Sequence, residues 1–204
     1  LQQEYTPFKV LPGGVAANVA RAFAMLGNKP MLLSPFGNDE VAGSLQELVR
    51  AAGVELTVCT KLEPTKKIVV LVGHDGERSF ATRPGAMLEL SDLDNAPWPF
   101  VSHLHLEGHL IASSFDLLRE AVRLAQRVDA ALSLDLSNRE LVVEHREELS
   151  ALIERAITML FGNEEECFAL TGTETLEDCC KALGALTPLA IVTRGAHGVV
   201  LVEG

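Results

Sequence analysis

From Phe100 onward short apolar runs alternate with longer amphipathic ones, and this alternation restricts the fold more than any other feature. Phe100–Leu106, Ala131–Leu136, Ile157–Phe161, Ala190–Thr193 and Val199–Val202 read as strands. Between them Phe115–Val128, Leu141–Ala156, Glu164–Leu170 and Leu176–Leu186 read as helices. Strands separated by helices pair in parallel, because each crossover returns the chain to the same end of the sheet. The expected fold is α/β: a mostly parallel sheet with helices on both faces and right-handed crossovers. Such sheets bind ligands beyond the carboxyl ends of their strands. Asp39, Glu107, Asp135, Asn163 and Thr193 all fall at predicted strand ends, which is the sequence argument for one cleft.

The first part of the chain is built differently. Leu11–Gly37 opens with the turn Pro12-Gly13-Gly14, continues as a small-residue helix over Ala16–Leu26, stops at Gly27 and becomes a strand over Met31–Pro35. Paired glycines before a helix let backbone N–H groups approach a ligand closely. Asn18, in the first turn, can aim its amide at whatever lies there. An ordinary loop–helix–strand unit has the same pattern. Gln2 to Leu11 reads as extended, Val41–Ala52 as a helix opened by Asp39-Glu40, and Val54–Thr60 as a strand. Ile68–Val72 and Ser79–Thr82 form a hairpin around His74-Asp75-Gly76-Glu77. These strands are not separated by helices, so they predict a small extra sheet beside the α/β domain.

A formal charge of −11 in 204 residues argues against nucleic acid or an anionic membrane as partner, since both attract basic patches. No apolar run approaches the roughly 18 residues that span a bilayer, and no signal-peptide pattern opens the chain. The four cysteines lack CxxC spacing, and Cys179 and Cys180 point apart on a helix, so reduced thiols and a cytoplasmic location are expected.

Neither GxxxxGK[ST] nor GxGxxG occurs, so any phosphate is held by another device. Glu107, just past a strand, can accept two hydroxyl groups, as a carboxylate does; a surface loop acid reads the same. His103 and His105 share a strand face, but with His109 they lack the ligand spacing of a zinc site. Asn163 and Glu166 lie three apart at a helix start, on one face. A plain N-cap with acids at the positive helix end accounts for them as well. Ile191–Gly198 is a strand–turn–strand unit.

Gly13-Gly14-Val15-Ala16-Ala17-Asn18-Val19-Ala20, then Gly27 and Gly37, resembles the first signature of the ribokinase-like (PfkB-type) sugar and nucleoside kinases. Asn163-x-x-Glu166 resembles the family's Asn-x-x-Glu motif, and Thr193-x-Gly195-x-x-Gly198 its nucleotide-binding Thr-x-Gly-x-x-Gly. Asp135-Leu136-Ser137-Asn138-Arg139 departs from the common Asp-x-Asn-x-Arg form. Its wording, with Glu107-Gly108, is closer to the adenosine kinase branch.

The resemblance implies a ribokinase-like fold with a small β lid from strands within about residues 1–12 and 54–83, and a chemistry. ATP gives its γ-phosphoryl to a hydroxymethyl group of a sugar or nucleoside. Gly13, Gly14, Asn18 and Glu107 hold that acceptor, and Asn163, Thr193, Gly195 and Gly198 serve the nucleotide. Arg139 lies near the transferred phosphate, and Glu166 supports Mg²⁺ through ordered waters. A homodimer through the lid is also implied. The family's first strand and its Gly-Ala-Gly-Asp motif, with the general-base Asp, find no match within 1–204. Residues 1–204 are therefore expected to be one incomplete kinase domain, inactive alone, with the base beyond Gly204. The rival expectation is a truncated, non-catalytic binding or interaction protein on the same fold.

Overall fold

A computed structural model describes residues 11–74, 76 and 78–204, the side chain of Arg78 excepted. The extended reading of Gln2–Val10, with its share of the lid, and Asp75 and Glu77 of the hairpin turn lie outside the described residues. The chain divides into two compact units, the first ending at Met87 and the second comprising Leu88–Gly204.

In the first unit α1 (Val15–Met25) starts at Gly14, whose φ of 99° suits glycine, and no side chain caps it. Its alanines let the helix lie close to its neighbours. Ala20 packs with Leu32, Val49 and Val54, and Ala16, Ala17 and Ala24 border that cluster. β1 (Met31–Gly37) runs parallel to β2 (Glu55–Lys61), joined by α2 (Glu40–Ala51). α2 carries a full N-cap, because Asp39 Oδ1 accepts the Ala42 N–H at 3.0 Å. β3 (Lys67–Val72) and β4 (Arg78–Arg83) form an antiparallel pair. The strand readings stand, with ends moved by a residue or two.

The second unit holds one five-stranded sheet. β5 (His103–Glu107), β6 (Ala131–Asp135), β7 (Met159–Asn163) and β8 (Leu189–Thr193) are mutually parallel, and β9 (Val199–Glu203) closes the row antiparallel to β8. The helices are α3 (Phe115–Arg127), α4 (Arg139–Glu144), α5 (Arg146–Ala156), α6 (Glu164–Thr171) and α7 (Leu176–Leu186). One face of the sheet is closed by Leu106, Leu132, Leu134, Leu160, Ala190 and Val192. From α3 and α5, Leu117, Leu118, Val122, Leu149 and Ile153 are buried as well.

Two sequence readings need correction. Phe100 is not in a strand; it ends a 3₁₀ turn, Trp98–Phe100, and is exposed. Pro97 and Pro99 cannot donate ladder hydrogen bonds, so β5 starts only at His103. The helix expected over Leu141–Ala156 is two helices broken at His145, whose φ of −114° leaves the helical range. His145 is held there by Glu148 at 3.0 Å and by stacking on Phe115.

Candidate functional site

The strand ends of the second unit bring the predicted polar residues to one edge of the sheet. Glu107 stands in register with Asp135, and Asn163 with Thr193. Asp135 is in register with Phe161, which ties the two halves of the row together. Each residue ends a parallel strand, so the sequence argument for a shared edge holds across β5 to β8. Gly13, Gly14 and Asn18 belong to the first unit, as does Asp39.

Asn163 and Glu166 make a reciprocal capping box. Asn163 Oδ1 accepts the Glu166 N–H, and Glu166 Oε2 accepts the Asn163 N–H, both at 2.9 Å. Glu166 is only 7% exposed. Its acid is pushed above the ordinary carboxylate range, chiefly by burial, with Asp135 and Glu165 adding like charge. Gly162 makes room for this packing; a Cβ there would lie 2.9 Å from Leu136 Cδ1 and 3.0 Å from Cys167 Sγ.

Past β8 the chain turns through Gly195 and Gly198, with φ of 55° and 84°. A Cβ at either would meet nothing within 4 Å, so torsion and not crowding requires glycine there. Space is open beside both glycines, while the Gly198 N–H donates to the Gly195 carbonyl at 3.2 Å. Arg194 anchors it by donating to Glu164 Oε1 at 2.8 Å. Thr193 is exposed, and its hydroxyl lies 3.5 Å from the Gly162 carbonyl.

At the other end of the row, Gly108 N–H donates to Ser137 Oγ at 3.1 Å, and Ser137 Oγ lies 2.8 Å from Asp135 Oδ1. Further along the same face, Ser133 Oγ is shared between His103 Nε2 at 2.8 Å and His105 Nδ1 at 2.9 Å. His105 meets Phe161 edge-on, and its Nε2 is buried without a partner among the described residues. Burial pushes the His105 imidazole below its ordinary range, against the pull of Asp135. His109 lies apart, in the 3₁₀ turn Gly108–Ala112. No group of three or more His, Cys, Asp or Glu among the described residues is placed to hold a metal.

Arg139 opens α4 after Asn138, whose side chain caps the helix by accepting the Leu141 N–H. It lines a groove of about 670 Å³ with Arg146, Glu165, Phe168 and Thr173, and none of Glu107, Asn163 or Thr193 borders that groove. Burial pushes the Cys167 thiol up to about 12, which leaves it an inert core group.

In the first unit Gly13 and Gly14 have open space where a Cβ would stand, and Asn18 is exposed. Asp39 is already engaged. Its Oδ1 accepts the Thr65 hydroxyl at 2.8 Å, its Oδ2 the Thr65 N–H at 3.1 Å, and Thr65 Oγ1 accepts the Gly37 N–H. A Cβ on Gly37 would collide with the Thr65 backbone. Asp39 is thus a structural clamp here, and Thr65 is a residue that sequence reasoning passed over. Ser137 was read only as part of the 135–139 run, and no role was given to its hydroxyl or to that of Ser133; no local pattern distinguishes them from surface serines.

The family model for pfkB family carbohydrate kinases matches residues 3–204. The chain is similar to a fructokinase of Vibrio alginolyticus, 29% identical over 201 residues, which are 92% of this chain and 64% of the relative. It is similar to a cytidine kinase of Thermococcus kodakarensis, 26% identical over 207 residues, 95% of this chain and 68% of the relative. Among solved structures, the adenosine kinase from Sinorhizobium meliloti superposes with a TM-score of 0.85 at 29% identity, covering 94% of this chain and 61% of that one. The chain thus spans under two thirds of the length of that fructokinase and that adenosine kinase.

Proposed function

The chain belongs to the pfkB family of carbohydrate kinases, and from that premise we propose that it serves ATP-dependent phosphoryl transfer to a hydroxymethyl group of a sugar or nucleoside. The observation that carries this reading is the row of strand ends in which Glu107, Asp135, Asn163 and Thr193 stand on adjacent parallel strands. Catalysis of this kind is mostly positioning and charge neutralisation, and a row of preset polar groups suits it.

In the second unit Glu107 is assigned to acceptor hydroxyls, because a carboxylate only accepts hydrogen bonds. Asn163, Thr193 and the open turn of Gly195 and Gly198 are assigned to the nucleotide. Arg139 enters as a phosphate ligand only by its place in the motif. In the first unit Gly13, Gly14 and Asn18 are assigned to the acceptor, their backbone being unobstructed. The hairpin β3–β4 is assigned to a homodimer, since Ile68, Val70, Leu71, Val72 and Phe80 are all exposed on it. The acceptor class favoured by the wording at Glu107, Ser137 and Asn163 is a nucleoside of the adenosine type.

The residues present fit Mg²⁺ held through water. Glu166 is a buried carboxylate among like charges, whereas a closed protein cage for the ion is lacking among the described residues. Bound there, the ion supplies charge neutralisation on the phosphate oxygens. No residue of 1–204 is assigned as the base, so these residues alone are expected to bind nucleotide without turnover.

The test is an ATP-consumption screen of the intact protein against nucleosides and simple sugars. Turnover with at least one acceptor is expected. Glu107→Gln should raise the KM for that acceptor, and Glu166→Gln should raise the Mg²⁺ concentration needed for half-maximal rate. Consumption with no acceptor, or unchanged constants in both variants, would sink the reading.

A further inference from the structure

Only Asp129 and Ser137 adopt positive φ among the described non-glycine residues. Asp129 lies in the turn between α3 and β6, and aspartate tolerates that torsion. Serine has less claim to it. At φ 61° Ser137 sits in a conformation that costs an L-residue free energy and persists only where surrounding contacts dictate it.

Those contacts join three strand ends. Ser137 Oγ accepts the N–H of Gly108, the residue that follows β5. The same oxygen lies 2.8 Å from Asp135 Oδ1 and 3.2 Å from the Asp135 carbonyl. The hydroxyl has one proton, and the nearer, charged carboxylate takes it. Meanwhile Leu136 N–H donates to the Phe161 carbonyl at 2.9 Å, which binds the same turn to β7. Gly108 is pressed so closely on this turn that a Cβ would collide with the Leu136 carbonyl. A single chain of bonds therefore runs from Gly108 N–H through the Ser137 hydroxyl to the Asp135 carboxylate.

We infer that Ser137 is a positioning residue for the acceptor site: its hydroxyl sets the spacing of the Glu107 and Asp135 carboxylates across the β5–β6 edge. Glu107 immediately precedes Gly108 and stands in register with Asp135. Holding the Gly108 amide and one Asp135 oxygen thus sets the backbone at Glu107 against the Asp135 carboxylate. Two carboxylates held at a set spacing select an acceptor by the separation of its hydroxyl groups. The inference rests on the reading of Glu107 as an acceptor ligand.

Two substitutions separate positioning from stability. Ser137→Gly removes the hydroxyl and relieves the torsion; Ser137→Ala removes the hydroxyl and keeps it. In the intact protein both should raise acceptor KM about tenfold, the cost of losing one charge-assisted hydrogen bond. Nucleotide KM and kcat should stay near wild type. The thermal midpoint of Ser137→Gly should match or exceed that of Ser137→Ala, so acceptor KM does not follow stability. Hydrogen exchange at the Gly108 amide, which needs no turnover, should quicken about tenfold in both variants. Unchanged acceptor KM overturns the inference, as does a KM that tracks the midpoint. Should the wild type phosphorylate no sugar or nucleoside, the functional reading fails by itself. The clamp is then judged on Gly108 exchange, and an unaltered rate overturns it.

Discussion

In the second unit five strands share one sheet, and Leu118, Leu134, Ile153, Leu160 and Val192 are closed to solvent. In the first unit four strands among the described residues make two separate pairs, and Val70, Leu71, Val72 and Phe80 lie exposed. Both regions are rich in apolar residues. The difference is that a five-stranded sheet gives helices a continuous floor, whereas a strand pair buries little on its own. The helices follow suit: α1 meets its neighbours with alanines, which remove little area from water, while α3 and α5 bring leucine and isoleucine. The first unit has polar clamps such as Thr65–Asp39, and its β3–β4 hairpin leaves apolar surface exposed.

The largest test of this contrast is a matched truncation. Leu134→Ala should cost about 2–5 kcal/mol, because it empties a closed core site. Leu71→Ala should stay within about 0.5 kcal/mol. Denaturant titration measures both, and equal losses would break the comparison. Next comes the clamp: Thr65→Val leaves the Gly37 amide without its buried partner and takes one of two donors from Asp39 Oδ1, at about 1–3 kcal/mol by the same titration. A third substitution addresses the hairpin. Phe80→Glu should convert a dimer to a monomer by light scattering while leaving the unfolding midpoint nearly unaltered. A monomeric wild type would show that the exposed strands serve something other than a second copy.

The smallest effect is a pH slope confined to the second unit. Burial holds the folded His105 imidazole below its ordinary value of 6.5, so the unfolded chain takes up the proton first. Stability should therefore fall as pH drops below about 6.5, and level off below the folded value. His105→Phe should flatten that part of a midpoint-against-pH curve. An identical slope in the variant would assign the dependence to other groups.

Much of the molecule was legible in its residues. The period of apolar positions located nearly every strand and helix, and the glycines at 195 and 198 marked a turn that torsion requires. The Asn163–Glu166 spacing read as a cap and proved to be a reciprocal one. One failed reading, Phe100, has a local cause in the prolines beside it; the other involves a longer-range contact. His145 breaks an otherwise continuous helix because Phe115, on another helix, stacks on it.

Local order follows from spacing, because caps, turns and amphipathic faces depend on residues within a turn or two of each other. The sequence by itself thus determined the α/β alternation and the polar character of each strand end. Only the tertiary structure decided which serine or threonine completes those ends. Gly37–Thr65 and Gly108–Ser137 join residues 28 and 29 positions apart. A hydroxyl's partner at that separation is chosen by strand register and close backbone approach, and neither has a signature in the local run of residues.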